Sequence, residues 1–409
     1  MAAPRPTLLI VSQTFVPDPA AVGQHLADVA DEMARRDWRV VVYTARRGYD
    51  DPSRRYAGTE HRNGVDIRRL PLSSFGKGSI AVRLIAGFAF TLQATLRSLF
   101  RRRIDAMLIS TSPPMAPLSA IALHALRRVP VTFWAMDINP DQMIAMGKLS
   151  ETSPPARAFD WMYRRTIRTA SKVIALDRFM AERLERKASL GDKLAIVPPW
   201  SHVDALKPPV EHADNAFRER EGLRDKFVVM YSGNLSPTHP LDTVLEAARS
   251  MRDDASVAFV FVGGGQGAKR VEAFLAEHAL PNARLLPYQP LEMLPHSLAA
   301  ADVHVVAMGD PMVGVVHPCK VYGALAVGRP VLFVGPRPCH VTDLLDQADV
   351  GQHVEHGAVD AAVRAIRALQ AMPAEERRAM GERGRSLMRA ELRSEGSIAA
   401  VCDAVERTA

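Results

Sequence analysis

Short apolar runs alternate with amphipathic stretches along most of this 409-residue chain. An apolar run rich in Val, Ile and Leu and bounded by turn residues predicts a buried strand, whereas a stretch with 3.6-residue periodicity predicts a helix. The predicted strands cover residues 7–13, 39–45, 65–71, 106–110, 129–135, 172–176, 227–233, 257–265, 283–288, 302–308 and 330–335. Strands that alternate with helices favour parallel α/β sheets, so we predict two doubly wound, Rossmann-like units in tandem.

A chain of this length exceeds what one hydrophobic core usually organises, which favours two domains. Pro and polar residues accumulate at 195–220 and predict a hinge linker. We therefore expect an N-terminal domain over 1–203, a second domain over 204–384, and a final helix over 385–409 that packs back on the first domain. Ligands of open α/β sheets bind outside the carboxyl ends of the strands, so the site is expected in a cleft between two facing domains.

Composition narrows the class of protein. Hydrophobic residues make up 47% of the chain and charged residues 24%, as in ordinary globular proteins. The three cysteines, Cys319, Cys339 and Cys402, are too few and too far apart for a disulfide framework or a zinc site. This usage predicts a reducing cytosol. The N-terminal residues pass directly into a predicted strand and show no signal-peptide pattern.

The net charge of +7 is unevenly distributed. Residues 1–200 hold 30 Lys and Arg against 18 Asp and Glu, whereas residues 201–409 hold 22 against 27. The basic half suits an anionic partner, and an anionic membrane or a phosphorylated lipid would fit equally well. Nucleic acid is not expected, because no recognition motif or basic–aromatic interleaving accompanies the charge. A solvated, Arg-rich face is the alternative interpretation.

Residues 78–103 combine a long apolar stretch with a basic end. Arg83, Gln93 and Arg97 interrupt the stretch, so its uninterrupted length is well below the ~20 residues that span a bilayer. A helix with Leu, Ile and Phe on much of its surface, ending in Arg101–Arg103, suits a membrane interface. The alternative is a core helix whose basic end complements the helix dipole.

Two loops that follow strands in the first half carry candidate site residues. Gly23 opens a helix after the first strand, where the missing Cβ lets a ligand approach the backbone. His25 lies in the first turn of that helix, where the dipole favours a neutral, hydrogen-bonding imidazole. For both residues the alternative is an ordinary helix start. Asp137, in "WAMDINPDQ", follows another strand and is either a site carboxylate or a cap of the next helix.

Glycine-rich turns follow two strands in the second half. Gly233 and Asn234 end the strand in "VMYSGNLSPTHPLDTVLEAA", and such a turn can donate backbone N–H groups to a phosphate. The second turn, "VGGGQG", contains Gly264, but it lacks the spacing of a dinucleotide fingerprint and of a P-loop. Tyr288 ends the next predicted strand and is a further candidate at this edge of the sheet.

The segment "VVHPCKVYGALAVGRP" at 315–330 places His317 and Lys320 just before a predicted helix. Pro318 suits the first turn of that helix. A lysine in this position opposes the helix dipole unless an anion binds beside it, so Lys320 hints at a bound phosphate. A solvated lysine in the first turn is the alternative.

Taken in order, these segments resemble the two-domain GT-B glycosyltransferases. They are most similar to the retaining family-4 branch that builds bacterial surface polysaccharides of the colanic-acid and O-antigen type. The resemblance covers nearly the whole chain and rests on the ordered set "FVPDPAAVGQHLADVADEMARRDWRVVVYTA", "DAMLISTSPP", "FWAMDINPD", "VMYSGNLSPTHPLDTVLEAA", "FVFVGGG", "LLPYQP" and "HPCKVYGALAVGRPVLFVG".

The resemblance implies transfer of a hexosyl or N-acetylhexosaminyl group from a nucleotide sugar, expected to be UDP-linked, to a lipid-linked acceptor. The reaction would retain the anomeric configuration, at the cytoplasmic face of the cell membrane. Neither a metal nor another cofactor is expected, because protein groups would stabilise the departing diphosphate. The implied catalytic residues are Asp137, His317 and His25, and the implied donor-binding residues are Gly23, Gly233, Asn234, His239, Gly264, Tyr288 and Lys320.

The chain departs from this family where members contact the donor. Members commonly carry two glutamates eight residues apart before "GRPV", whereas the equivalent residues here are Val315 and Gly323. Members also place an Arg and a Lys after "SGN", whereas this chain has "LSPTHP", with His239 as the only candidate cation. Lys320 and His317 therefore gain importance. Two alternatives stay open: a nucleotide-sugar epimerase of the same fold, and an inactive sugar-nucleotide binder.

Overall fold

The computed structural model describes residues 5–18, 20–48, 51, 53–73, 80–203, 207 and 210–409. The chain forms two compact units. The first contains the described residues up to Pro199 together with Gly314–Val316 and Glu395–Ala409. The second contains the remaining described residues, which lie between Trp200 and Val313 and between His317 and Ser394.

The first unit is built on an eight-stranded sheet. Its strands are β1 (Thr7–Val11), β2 (Arg39–Ala45), β3 (Thr59–Arg62), β4 (Val65–Leu70), β5 (Ala106–Ile109), β6 (Val131–Trp134), β7 (Lys172–Ala175) and β8 (Leu194–Ile196). They lie in the order β3-β4-β2-β1-β5-β6-β7-β8. All neighbours are parallel except β3 and β4, and the register pairs Leu9 of β1 with Val41 of β2 and Met107 of β5.

Helices connect these strands. They are α1 (Ala21–Arg35), α2 (Ile80–Leu99), α3 (Pro117–Arg127), α4 (Asp141–Ala145), α5 (Pro154–Thr169) and α6 (Arg178–Lys187), with a 3-10 helix at Gly191–Lys193. Side-chain caps explain where α5 and α6 begin. The Ser153 side chain accepts a hydrogen bond from Ala156 N–H, and the Asp177 side chain accepts one from Met180 N–H. The central strands β1 and β5 are fully buried, as expected for continuous apolar runs covered on both faces.

The second unit contains a six-stranded parallel sheet in the order β11-β10-β9-β12-β13-β14. Its strands are β9 (Phe227–Ser232), β10 (Val257–Val262), β11 (Ala283–Leu286), β12 (Val303–Ala307), β13 (Val331–Val334) and β14 (Gly351–Val354). Its helices are α7 (Ala216–Arg220), α8 (Asp242–Ser250), α9 (Ala268–Glu277), α10 (Leu294–Ala299), α11 (Lys320–Ala326), α12 (His340–Ala348), α13 (Val359–Ala371) and α14 (Ala374–Ala390). Short 3-10 helices occur at His212–Asp214, Leu291–Met293 and Asp310–Met312.

The last helix is α15 (Ser394–Glu406), most of which belongs to the first unit. Asp403 and Glu406 accept hydrogen bonds from Arg36 Nη1 at 2.6 and 2.9 Å, and Cys402 is fully buried. These contacts tie the end of the chain to α1. No helix in the described part of the chain has the length and apolar character needed to cross a bilayer.

All the predicted strands form, but β3, β8 and β14 were not predicted from the sequence. Each of the three lies at an edge of its sheet. Edge strands are partly solvated, so they do not require an apolar run, and β3 accordingly reads "TEHR" and β14 "GQHV". The pattern of hydrophobic residues therefore identified the central strands and the edge strand β11. It missed β3 and β14, which are polar, and β8, which reads "LAI" and has only three residues.

The segment 195–220, predicted as a hinge linker, contains regular structure among its described residues. It holds the end of β8, the 3-10 helix at His212–Asp214 and all of α7. The Asn215 side chain starts α7 by accepting from the N–H groups of Phe217 and Arg218. A five-residue helix with a polar cap carries too little periodicity to be predicted.

Candidate functional site

In the second unit, four loops at the carboxyl ends of parallel strands carry five of the predicted donor residues. Gly233 and Asn234 follow β9, Gly264 follows β10, Tyr288 follows β11, and Lys320 begins α11 after β12. These strands are neighbours in the sheet, so their ends form one continuous edge. Loops at this edge are where open parallel sheets bind ligands.

Backbone hydrogen bonds join the two glycine-rich turns. Gly233 N–H donates to the Val262 carbonyl, and Leu235 N–H donates to the Gly264 carbonyl, both at 2.8 Å. Gly263 has a φ of +140° and Gly233 has a φ of +130°, a region that favours glycine. A Cβ on Gly263 would lie 2.0 Å from the Gly233 carbonyl oxygen, so the close approach of the turns requires glycine there.

Lys320 lies over this pair of turns. Its Cε is 2.9 Å from where a Cβ on Gly233 would be, and its Nζ is 5.2 Å from the centroid of the Tyr231 ring. Burial lowers the pKa of Lys320 to about 8. Within the described part of the chain, no carboxylate forms an ion pair with this ammonium. A partly buried cation without an acidic partner is suited to an anionic ligand.

His239 does not supply the second cation that the sequence left open. Its Nδ1 lies 3.0 Å from Thr238 Oγ1. Burial, assisted by the positive charge of Lys320, holds the pKa of His239 well below its usual range. The imidazole is therefore neutral near pH 7, and it takes part in hydrogen bonding rather than in charge pairing.

Tyrosines support the turns from both sides. The Tyr231 hydroxyl donates to the Asn234 carbonyl at 2.8 Å, and the Tyr288 hydroxyl donates to the Gly264 carbonyl at 3.2 Å. Tyr231 is fully buried, whereas 56% of Tyr288 is exposed. Tyr231 therefore fixes the turn from below, while Tyr288 leaves an aromatic face at the rim of the loops.

His317 is buried at the start of the segment that leads to Lys320, and it contacts two residues that sequence reasoning missed. Its Nε2 lies 2.7 Å from the Tyr322 hydroxyl, which also lies 2.9 Å from His340 Nε2. His340 begins α12, immediately after the loop that follows β13. The only sequence signal for His340 is its position beyond a predicted strand, because it is 23 residues from His317 in the chain.

In the first unit, Gly23 and His25 lie at the start of α1, after β1. A Cβ on Gly23 would lie 2.9 Å from the backbone N and Cα of Phe15. The chain's own backbone therefore requires glycine at this position, whatever ligand binds nearby. His25 is buried in the first turn of α1, with 4% of its surface exposed.

Asp137 follows β6, two strands away from β1 in the same sheet. The Tyr163 hydroxyl donates to the Asp137 carbonyl, and Ile138 N–H donates to the Val315 carbonyl at 3.0 Å. Val315, for which the family resemblance predicts a glutamate in relatives, therefore lies beside the Asp137 loop within the first unit. Burial raises the pKa of Asp137 to about 6.

This raised pKa predicts a pH-dependent difference between the wild type and Asp137→Asn. The protonated carboxyl is favoured in the folded state, so its stabilising contribution is complete below the unfolded pKa near 3.8 and is lost as the pH rises through about 6. Relative to Asp137→Asn, the free energy of unfolding of the wild type should fall by up to about 3 kcal/mol between pH 4 and pH 7. Urea titrations of both proteins at pH 4 and pH 7 measure this change. If the difference in free energy of unfolding between them is the same at both pH values, the raised pKa of Asp137 is contradicted.

Comparisons with known proteins agree with this architecture. A glycosyl transferase 4-like domain matches residues 20–200, and a glycosyl transferases group 1 domain matches residues 214–387. The putative colanic acid biosynthesis glycosyl transferase WcaI of Escherichia coli (strain K12) is 23% identical over 380 residues, which cover 90% of this chain and 92% of WcaI.

Two solved structures are similar over almost their full lengths. Sucrose-phosphate synthase from Thermosynechococcus elongatus has a TM-score of 0.79 at 17% identity, covering 98% of this chain and 99% of that one. Anabaena HepE in complex with UDP-glucose has a TM-score of 0.71 at 13% identity, with coverage of 98% and 99%. These likenesses confirm the predicted GT-B fold.

Proposed function

The chain is a glycosyltransferase that joins a 4-like domain to a group 1 domain, and from this premise we propose that it uses a nucleotide sugar to build a bacterial surface polysaccharide. The proposed donor is UDP-linked, as in the complex of HepE with UDP-glucose, and the transferred group is a hexosyl or N-acetylhexosaminyl unit. The proposed acceptor is lipid-linked. WcaI, the relative named for colanic acid biosynthesis, supports a polysaccharide product.

The observation that carries this proposal is the position of Lys320 over the Gly233 turn. Negative charge grows on the diphosphate as the bond to the sugar breaks, so a preorganised ammonium in a partly buried site lowers the barrier. Lys320 provides that charge, and the glycine turns let the diphosphate approach the backbone closely. The reaction is proposed to proceed without a metal and with retention of configuration.

The remaining predicted residues are assigned to the sugar and acceptor side. Burial raises the pKa of Asp137 to about 6, and the carboxyl is proposed to exchange a proton with an acceptor hydroxyl. His25 is proposed to act as a hydrogen-bonding group at the same edge of the first sheet, and His317 to contact the donor sugar. Gly23 lets the backbone at Phe15 pack against the start of α1, so it shapes the loop after β1 rather than opening space for a ligand.

The decisive experiment combines a nucleotide sugar with an acceptor. UDP binding is measured by calorimetry, and transfer from UDP-hexoses and UDP-N-acetylhexosamines is followed with polyprenyl-diphosphate sugars, with and without EDTA. We expect product only when the acceptor is present, with activity retained in EDTA and an unchanged anomeric configuration by NMR. Epimerised nucleotide sugar in the absence of acceptor would replace this proposal with an epimerase. No turnover with any acceptor would replace it with an inactive sugar-nucleotide binder.

Peripheral contact with the inner face of the cell membrane is proposed through α2. Its exposed side chains form an apolar stripe that continues beyond the helix, namely Leu84, Ile85, Phe88, Leu92, Leu96 and Phe100. Leu84, Phe88, Leu92 and Leu96 recur every four residues along one side of α2, and Phe100 continues this spacing just beyond the helix. The exposed Arg97 and Arg102 lie at the basic end, so the surface combines apolar area with charge that anionic headgroups attract.

This surface predicts a lipid-dependent binding defect. Replacing Arg97 and Arg102 by Glu should reduce binding to phosphatidylglycerol vesicles at least about 30-fold, because each basic residue contributes about 1 kcal/mol at an anionic surface. Replacing Ile85 and Phe88 by Ser should also reduce binding, because it removes apolar side chains from the surface that meets the membrane interface. Flotation assays measure the bound fraction. The control is Arg186→Glu with Arg252→Glu, which changes the net charge equally at exposed positions outside α2. Equal binding by all variants would exclude α2 as the contact.

A further inference from the structure

We propose that Tyr322 and His340 are positioning residues of the donor site, which act by holding His317 and, through it, the segment that carries Lys320. The proposal rests on the proposed function, because it concerns the same nucleotide-sugar site. Neither residue is proposed to contact the donor. One phenolic oxygen instead links three separate parts of the second unit: the loop at His317, helix α11 and the first residue of α12.

The geometry of the three side chains is close and largely buried. Tyr322 is fully buried and His317 is 7% exposed. The two imidazole centroids are 4.4 Å apart, and the His317 ring is nearly parallel to the Tyr322 ring, at an interplanar angle of 14°. Buried polar groups of this kind are costly to leave without partners, so both hydrogen bonds to the hydroxyl constrain the rings.

The single proton of the Tyr322 hydroxyl fixes the hydrogen-bonding roles of His317 and His340. A phenol carries one proton, so it donates to one Nε2 and accepts from the Nε2–H of the other imidazole. The two histidines therefore take opposite roles at Nε2. Replacing Tyr322 by Phe removes both hydrogen bonds at once, whereas replacing His340 removes only one and leaves the hydroxyl to His317.

A short, tightly hydrogen-bonded segment connects His317 to Lys320. Cys319 N–H donates to the His317 carbonyl at 2.9 Å, and Tyr322 N–H donates to the Cys319 carbonyl at 3.2 Å. Pro318 has a restricted φ. A change in the orientation of His317 therefore shifts the start of α11, where the Lys320 stem lies against Gly233.

The far side of α11 is already fixed by packing. A Cβ on Gly384 of α14 would lie 2.7 Å from Leu325 Cδ2, so the two helices pack closely at that point. Helix α11 can therefore adjust mainly at its first turn. The His317–Tyr322–His340 cluster holds that turn, which explains how residues without substrate contact can govern the placement of an ammonium group.

The test measures UDP affinity by calorimetry in Tyr322→Phe, His340→Ala and His340→Gln, each with and without Lys320→Met. We expect Tyr322→Phe and His340→Ala to weaken UDP binding about tenfold, corresponding to about 1.4 kcal/mol. His340→Gln keeps a polar group for the hydroxyl and should recover most of the affinity. In the Lys320→Met background, Tyr322→Phe should add no further loss, because its effect passes through Lys320.

The control is His353→Ala, which removes another half-buried imidazole of the second unit, bonded through Nε2 to the Gly335 carbonyl. It should leave UDP affinity unchanged. Wild-type affinity in Tyr322→Phe and His340→Ala, or a full additional loss in the Lys320→Met background, would overturn the positioning role while the proposed function stands. Failure of the wild type to bind UDP or any other nucleoside diphosphate would overturn both. If Tyr322→Phe does not fold, the two His340 variants decide the question.

Discussion

Replacing Lys320 by Met is expected to lower kcat/KM for the nucleotide sugar by about 10²- to 10³-fold, the usual cost of losing one preorganised charge at a developing anion. Methionine has a similar shape and can occupy the space over Gly233 and beside Tyr231, so the change removes charge more than volume. Steady-state kinetics with varied donor measure the effect. The loss should appear in kcat as well as in KM, because charge on the diphosphate grows towards the transition state.

The lowered pKa of Lys320 predicts a second measurable effect, on the pH dependence of donor affinity. Since burial lowers this pKa to about 8, donor affinity in the wild type should decline as the pH rises through 8, whereas the affinity of Lys320→Met should not change there. The Met variant should unfold no more easily than the wild type at pH 7, because it removes a charge whose burial is unfavourable. Lys269→Met, at an exposed position of α9, is the matched control. Unchanged kinetics in Lys320→Met would remove Lys320 from the donor site.

Gly263→Ala is expected to be the most destabilising single substitution in the donor loops, lowering the free energy of unfolding by about 2–5 kcal/mol. Two costs combine: an L-residue at positive φ costs about 1–2 kcal/mol, and overpacking a tight contact typically costs a further 1–3 kcal/mol. The overpacking arises because the new Cβ would lie 2.0 Å from the Gly233 carbonyl oxygen. Donor binding should be lost in any folded fraction, because that oxygen belongs to the turn under Lys320.

Gly222→Ala separates the cost of placing an L-residue at positive φ from the cost of overpacking. Gly222 has a φ of +64°, but no atom lies within 4 Å of the position that its Cβ would take. We expect it to lose only the conformational part, about 1–2 kcal/mol, with UDP binding intact. Denaturant titration with calorimetry on both variants measures the difference. If Gly263→Ala and Gly222→Ala lose the same stability, the close contact between the two glycine-rich turns does not exclude a side chain at Gly263.

The sequence by itself determined the architecture and the location of the donor loops. Continuous apolar runs that are buried on both faces require central parallel strands, and loops after such strands meet at one edge. Gly233, Gly264, Tyr288 and Lys320 were therefore predictable as neighbours. The edge strands β3 and β14 were not, because partly solvated strands need no apolar pattern, and β8 was not, because three residues are too few to show one.

Only the tertiary structure decided what these residues can do. Charge and protonation depend on burial and on neighbours from distant parts of the chain. The pKa of Lys320 is lowered by burial, and that of His239 by burial together with the charge of Lys320, neither of which the local sequence shows. The link between His317 and His340 likewise passes through a hydroxyl on a third element. Such contacts exist only after the chain has folded, because no periodicity relates residues that different strands bring to the same edge.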